Sequence, residues 1–457
     1  MIAVVLLLVL LLLAIFLPMA TGATNFPVVA IVLLITLLLA FFGAGIYIAA
    51  ALGGLAAVIG FTLSDRPFWN AIGQFAWNPS SSFILVSIPL FLLMGEILLR
   101  AGLSERLFRA LNVWLVGLPG GLLHTNIVAS GVFSAVCGSS VATAATIGSV
   151  ALPYFEKTTY NRRMVLGSLA AGGALGNLVP PGITFILYGL ITDTSVAQLY
   201  VAAVVPSLVV MVLFCAVNLF HRPGALERNV QQIPLPEKLA SLIGLLPTVL
   251  LILVVLGTIY GGIATPTEAA ALGVVVAALL ALWEGKLSLR FLHESAAATA
   301  RTTAMLGFIL IAAFTLNFIL TSIGVPQAIA KTIAGMALPG WAIMALIVGV
   351  YIALGTFMEG FSMVITTLPV IFPIVRALGY DPIWFGVIVT MLVEIALITP
   401  PDGTVMYVLQ GLRPTPGPIT DVFVGVMPYV AAYVAALVLL MIFPQLVLWL
   451  PVALDFR

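Results

Sequence analysis

The chain has 457 residues, 63% of them hydrophobic and 7% charged, with a net charge of +1 and a mean hydropathy of +1.26. That leaves too little polar side chain to coat a soluble particle, so the composition reads as an all-α polytopic membrane protein. The near-zero net charge, with charges scattered singly, offers no basic field for nucleic acid, and Cys137 and Cys215, each in an apolar stretch, form no metal or disulfide framework.

The first apolar run, 2–20, has no basic stretch ahead of it and is long enough to span, so 1–26 reads as a retained N-terminal helix rather than a cleaved leader. Ten further crossings are expected near 27–42, 43–63, 82–100, 164–191, 200–220, 241–260, 267–283, 303–322, 383–411 and 422–449. Two more apolar stretches, 121–153 and 341–375, are interrupted by small polar clusters, Cys137-Gly138-Ser139-Ser140 in one and Gly355 to Ser362 in the other. These read as re-entrant hairpins with the clusters at their tips. The mixed segments 65–79 and 284–301 read as interfacial arm helices, with ordinary loops as the plain alternative. The Pro-rich segment 221–240 reads as a linker. Placing it in the cytoplasm puts thirteen of the seventeen Lys and Arg inside and only Arg66, Lys331, Arg376 and Arg457 outside, the bias that orients membrane proteins.

The chain repeats itself at an offset of 220 residues. Leu118-Pro119-Gly120 matches Leu338-Pro339-Gly340, Pro153 matches Pro373, Tyr160-Asn161 matches Tyr380-Asp381, and Pro180-Pro181 matches Pro400-Pro401. With a slip of two residues, Gly138-Ser139-Ser140 lies over Gly360-Phe361-Ser362 and Pro206 over Pro428. Five crossings separate equivalent points, so the two repeats, 27–220 and 241–457, are expected to be inverted. Each breaks a membrane helix, 164–191 or 383–411, at its double proline. Unwound backbone at that depth is tolerated only where protein or a cavity satisfies it, which makes paired breaks a pointer to a transport site.

A hairpin tip facing a broken helix gathers helix ends, exposed carbonyls and hydroxyls, which suit a bare cation such as sodium and an anionic solute. The expected sodium ligands are Gly138, Ser139, Ser140, Asn177 and Pro180 in the first repeat and Gly355, Thr356, Thr399, Pro400 and Asp402 in the second. Ser140, Asn177, Glu359, Ser362 and Thr399 are the expected substrate contacts. The plain alternative is that small residues only let helices pack closely. Among acids in apolar stretches, Asp402 follows a break and suits cation coordination or protonation, and Glu359 suits a ligand or a hinge acceptor. Glu268 and Glu394 read either as transport groups or as acceptors for scaffold neighbours, and Glu96 as an ion pair with Arg100. His124, His221 and His293 are isolated and read as structural or interfacial. No nucleophile elbow and no phosphate-binding loop occurs, so neither catalysis nor direct use of ATP is expected.

Five stretches carry a family resemblance: 133–148, 167–176 with Pro180-Pro181, 261–270, 394–401 and 443–451. Together they resemble the large membrane subunit of tripartite ATP-independent periplasmic (TRAP) transporters over nearly the whole chain. The resemblance implies an elevator-type protein, with a transport domain holding both hairpins and a fixed scaffold, in the bacterial inner membrane. It implies import of an organic acid with sodium, from a soluble periplasmic binding protein, beside a separate small four-helix membrane subunit. Gly138, Ser139, Ser140, Thr399 and Pro400 match positions near the family's sodium sites, and Glu359 and Glu394 positions where acids are usual. Cys137, Asn177, Gly182 and Asp402 depart from the usual pattern. A stand-alone sodium- or proton-coupled carboxylate carrier of similar architecture is the alternative. A channel would need a continuous polar stripe and an intramembrane hydrolase a catalytic pair, and the sequence displays neither.

Overall fold

In a bilayer the backbone must satisfy its own hydrogen bonds, and a chain this apolar answers with helices. A computed structural model describes residues 45–64, 67–70, 72–156, 158, 160–220, 233–335, 338–356, 358–401 and 403–454, with scattered positions between 33 and 41. The expected helix at 2–20, most of the 27–42 crossing, linker residues 221–232 and Asp402 lie outside the described residues.

The first half supplies α1 (Ile48–Leu63), α2 (Ile72–Ser80), α3 (Ser87–Ala101), α4 (Leu103–Leu115), α5 (Gly121–Cys137), α6 (Ser140–Phe155), α7 (Arg162–Gly173), α8 (Ile183–Thr192) and α9 (Val196–Phe220). The second supplies α10 (Leu235–Ser241), α11 (Leu246–Tyr260), α12 (Pro266–Trp283), α13 (Leu289–Ile323), α14 (Val325–Gly335), α15 (Gly340–Gly355), α16 (Gly360–Ala377), α17 (Pro382–Ile398), α18 (Thr404–Leu412), α19 (Thr420–Ile442) and α20 (Gln445–Ala453). Among the described residues six helical runs are long and apolar enough to cross a membrane: α9, 235–260, α12, α13, α16 and α19. The α3–α4 pair, bent by 71°, makes a seventh. The other expected crossings are assembled from shorter pieces, α1, α7 with α8, and α17 with α18.

One expected boundary is absent. The arm at 284–301 and the crossing at 303–322 form a single 35-residue helix, α13. Its Ala- and Thr-rich middle holds no proline, so nothing stops the helix from propagating. At roughly 52 Å it is longer than a hydrocarbon core, and its charged first turns serve as the arm. The first arm differs, being a short 3₁₀ turn at Phe68–Asn70 followed by α2, which rests on α13 through Phe75 and Phe318 with ring centroids 4.6 Å apart. Glu96 and Arg100 pair at 3.3 Å as expected, and Arg100 also reaches Glu294 on α13 at 2.8 Å.

The 220-residue offset is visible in local structure. Asn161 and Asp381 cap α7 and α17, Pro153 and Pro373 lie inside α6 and α16, and Pro180-Pro181 and Pro400-Pro401 both have cis peptide bonds. At the tips the offset needs no slip. Ser139 caps α6 and Glu359 caps α16, so the true partner of Gly138-Ser139-Ser140 is Met358-Glu359-Gly360. Ser140 and Ser362 are therefore not equivalent, because the shared cap position is filled by serine in one half and by a carboxylate in the other.

The halves interleave. Helix α8, which follows the first break, packs on α16 of the second hairpin, and α18, which follows the second break, packs on α6 of the first. The closest crossing between halves is α7 on α19, where a Cβ on Gly167 would lie 2.0 Å from the Gly425 carbonyl oxygen and one on Gly425 1.9 Å from that of Arg163. Small residues let helix backbones approach this closely. Gly167→Ala is expected to cost about 1–3 kcal/mol in detergent-denaturant unfolding. Gly349→Ala, where nothing lies within 4 Å of the added methyl, is expected to leave the transition in place.

Candidate ion and solute site at the hairpin tips

The first tip is built from glycine geometry. Gly138 turns the chain between α5 and α6 at φ 62°, and a Cβ there would sit 2.4 Å from the Pro181 carbonyl oxygen. Only glycine meets both conditions. The carbonyl of Gly138 in turn accepts the Ile183 N–H at 3.2 Å, giving the start of α8 a partner from the opposite element. Gly176 lies directly on the backbone of Ser140. Tip and break are therefore in van der Waals contact, and Pro181, rather than Pro180, supplies the touching carbonyl.

At this junction Ser140 donates its hydroxyl to the Glu394 carboxylate, with Oγ 2.7 Å from Oε1 and 2.9 Å from Oε2. The Asn177 backbone N–H is 3.1 Å from both Ser140 Oγ and Glu394 Oε1, and its Nδ2 donates to Ser140 Oγ at 2.8 Å. All three residues are at most 1% exposed. Among the described residues no basic side chain pairs with Glu394, and the Asn177 Oδ1 has no hydrogen-bond partner. A buried carboxylate without a counter-charge is costly even when hydrogen-bonded, so the cluster favours an added positive charge. Carboxylate, hydroxyl and amide oxygens are the hard donors an alkali cation takes.

Glu394 is thus the acceptor on which this junction converges. It meets two expected ion-site residues of the other half, and its sequence signal was being the single charge on α17, a helix buried from Trp384 to Ile398. Glu268 does have a scaffold role, since it forms a capping box with Thr265 at the start of α12. His124 lies 3.0 Å from the Pro119 carbonyl oxygen, a structural contact.

The second tip is organised differently. Gly355 ends α15 against Ala396, where a Cβ would approach the Ala396 Cβ to 2.5 Å, and Gly360 starts α16 against Val393, with the corresponding approach at 2.6 Å. Thr356 donates to the Ala353 carbonyl at 2.7 Å and Thr399 to that of Ile395 at 2.6 Å, so both hydroxyls serve their own helices. Glu359 accepts from the Ser362 N–H at 3.2 Å and from its hydroxyl at 3.1 Å. A cavity of about 350 Å³ opens elsewhere, between the end of α6, the start of α7 and residues 413–415, and no tip residue lines it. Because Glu359 acts as a helix cap, Glu359→Gln is expected to preserve amide protection in the first turn of α16. Glu359→Ala is expected to weaken it by about 1 kcal/mol, read by hydrogen exchange.

The chain matches known proteins along almost its entire length. Residues 4–446 fit the family described as "Tripartite ATP-independent periplasmic transporter, DctM component". It is 31% identical over 431 residues to the C4-dicarboxylate TRAP transporter large permease protein DctM of Rhodobacter capsulatus, covering 91% of this chain and 97% of that one. It is 29% identical over 375 residues to the sialic acid TRAP transporter large permease protein SiaM of Vibrio cholerae, covering 81% and 86%. Its fold is similar to that of the YdaH transporter of Alcanivorax borkumensis, with a TM-score of 0.61 at 16% identity over 87% of this chain and 97% of that one. The chain belongs to the DctM family, the large permease subunits of TRAP transporters, inner-membrane proteins that move solutes and are not enzymes.

Proposed function

We propose that this permease imports an organic carboxylate coupled to sodium, taking its solute from a soluble periplasmic binding protein and working beside a small membrane subunit. The observation that carries the coupling is the Ser140–Asn177–Glu394 cluster, a buried carboxyl group met by neutral donors alone. A cation held there neutralises the carboxylate and orders the first tip. The carboxylate reading is supported by the relatives' names, which specify C4-dicarboxylate and sialic acid.

In this reading both hairpins travel with α7, α8, α17 and α18 as a transport unit against a frame of α1, α3, α12 and α13. The packing supports such a division, because α13 lies on α1 and α3, and α12 on α3, while the hairpins pack on α7 and α17. Ser140 and Asn177 bond each other directly and both donate to Glu394, so compensating the carboxylate strengthens the hold of tip on break. An unloaded site thus exposes its charge cost to the crossing, and the gradient is coupled through this difference between states.

Uptake in proteoliposomes containing the permease, its small subunit and its binding protein is expected to require inward sodium. Ser140→Ala is expected to raise the half-saturating sodium concentration by about tenfold, the loss of one hydrogen bond to a charged group. Uptake that proceeds at full rate without sodium would remove the coupling, and uptake without the binding protein would identify a stand-alone carrier.

A further inference from the structure

The turn of α17 at 393–396 touches both hairpins. On one side Glu394 accepts hydrogen bonds from Ser140, the first residue of α6, and from the Asn177 backbone. On the other, Val393 backs Gly360, the first residue of α16, and Ala396 backs Gly355, the last residue of α15. Glu394 and Val393 are fully buried and Ala396 is 5% exposed. The two glycines leave no slack, since a single methyl on either would come within 2.6 Å of the α17 side chains.

We propose that Glu394 is a positioning residue through which cation occupancy at the first tip sets the order of the second. This rests on the cation-coupled reading above and adds the route between the sites. With its charge compensated, the carboxylate stays between Ser140 and Asn177, and the turn seats Val393 and Ala396 against the second tip. Without compensation the cost of the buried charge is relieved by displacing this turn, which unseats Gly355 and Gly360. A close-packed contact switches between arrangements rather than deforming smoothly, so the second tip loosens as a unit. Thermodynamic linkage makes the effect reciprocal: loosening the second tip weakens the first site by the same factor.

The test is hydrogen exchange by mass spectrometry on the purified full-length chain, titrated with sodium chloride against choline chloride at constant ionic strength. In the native sequence, peptides covering 137–142 and 355–362 are expected to gain protection with a common midpoint. Ser140→Ala is expected to raise the second tip's midpoint by about fivefold, and Gly355→Ala to raise the first tip's by the same factor. Glu394→Gln is expected to make the tips titrate apart, so that adding Ser140→Ala no longer moves the second. An unmoved second tip in Ser140→Ala, or an undiminished shift in the Glu394→Gln background, overturns the proposal. If Glu394→Gln does not fold, the reciprocal shifts of Ser140→Ala and Gly355→Ala decide it alone. Protection at both tips with independent midpoints overturns only this inference, whereas sodium protection at neither tip overturns the cation-coupled reading as well.

Discussion

The Glu394 carboxylate, buried and bonded to Ser140 and Asn177, is the interaction around which the rest of the chain is arranged. An acid on an otherwise apolar helix is tolerable at this depth only if donors converge on it. Those donors come from the opposite half, one from a hairpin tip and one from an unwound segment. For both to reach α17, the first break must hold Asn177 out of helical geometry, and the tip must pass close enough for Gly176 to lie on the Ser140 backbone. Glycines at 138, 176 and 182 make that approach possible, the last because a Cβ there would lie 1.8 Å from the Asn177 carbonyl oxygen.

The exchange of helices between halves follows from the same requirement. A helix broken at mid-depth has a second segment too short to bury itself, nine or ten residues in α18 and α8. Each finds its partner on the second arm of the other half's hairpin, α6 for α18 and α16 for α8. Tip and break of one half are thereby fixed against the opposite half, and α17 lies buried where the two meet. Such an arrangement stores its polar chemistry at the seam, where both halves contribute to one site.

Much of this was legible in the residues. Hydropathy and the 220-residue offset located the interrupted stretches and the double prolines, and matched Asn161 to Asp381, which the structure shows to be helix caps, because prolines and caps act locally and keep their spacing. That Ser140 at the first tip faces Asn177 at the first break was legible too. Three features were not. The register of the second tip was hidden because Ser139 and Glu359 fill the same cap with different chemistry. The fusion of the second arm into α13 was hidden because a change in polarity along a helix leaves its backbone unbroken. The partner of Glu394 was hidden because Ser140 stands 254 residues away, and the contact depends on a helix crossing that no local pattern encodes.

The fold is doubled but the chemistry is not. At the 220-residue offset Ser140, Asn177 and Glu394 correspond to Gly360, Leu397 and Ala174, so the repeat of the polar cluster contains no polar side chain. Conversely Gly182, which must be small to sit on the Asn177 carbonyl, corresponds to Asp402. The first tip is thus held by charge and hydrogen bonds, the second by glycine packing against Val393 and Ala396. A buried carboxylate joined through one helical turn to a steric contact leaves the second tip's order governed by how well α17 is seated against it. That asymmetry lets a single buried carboxylate act on both hairpins.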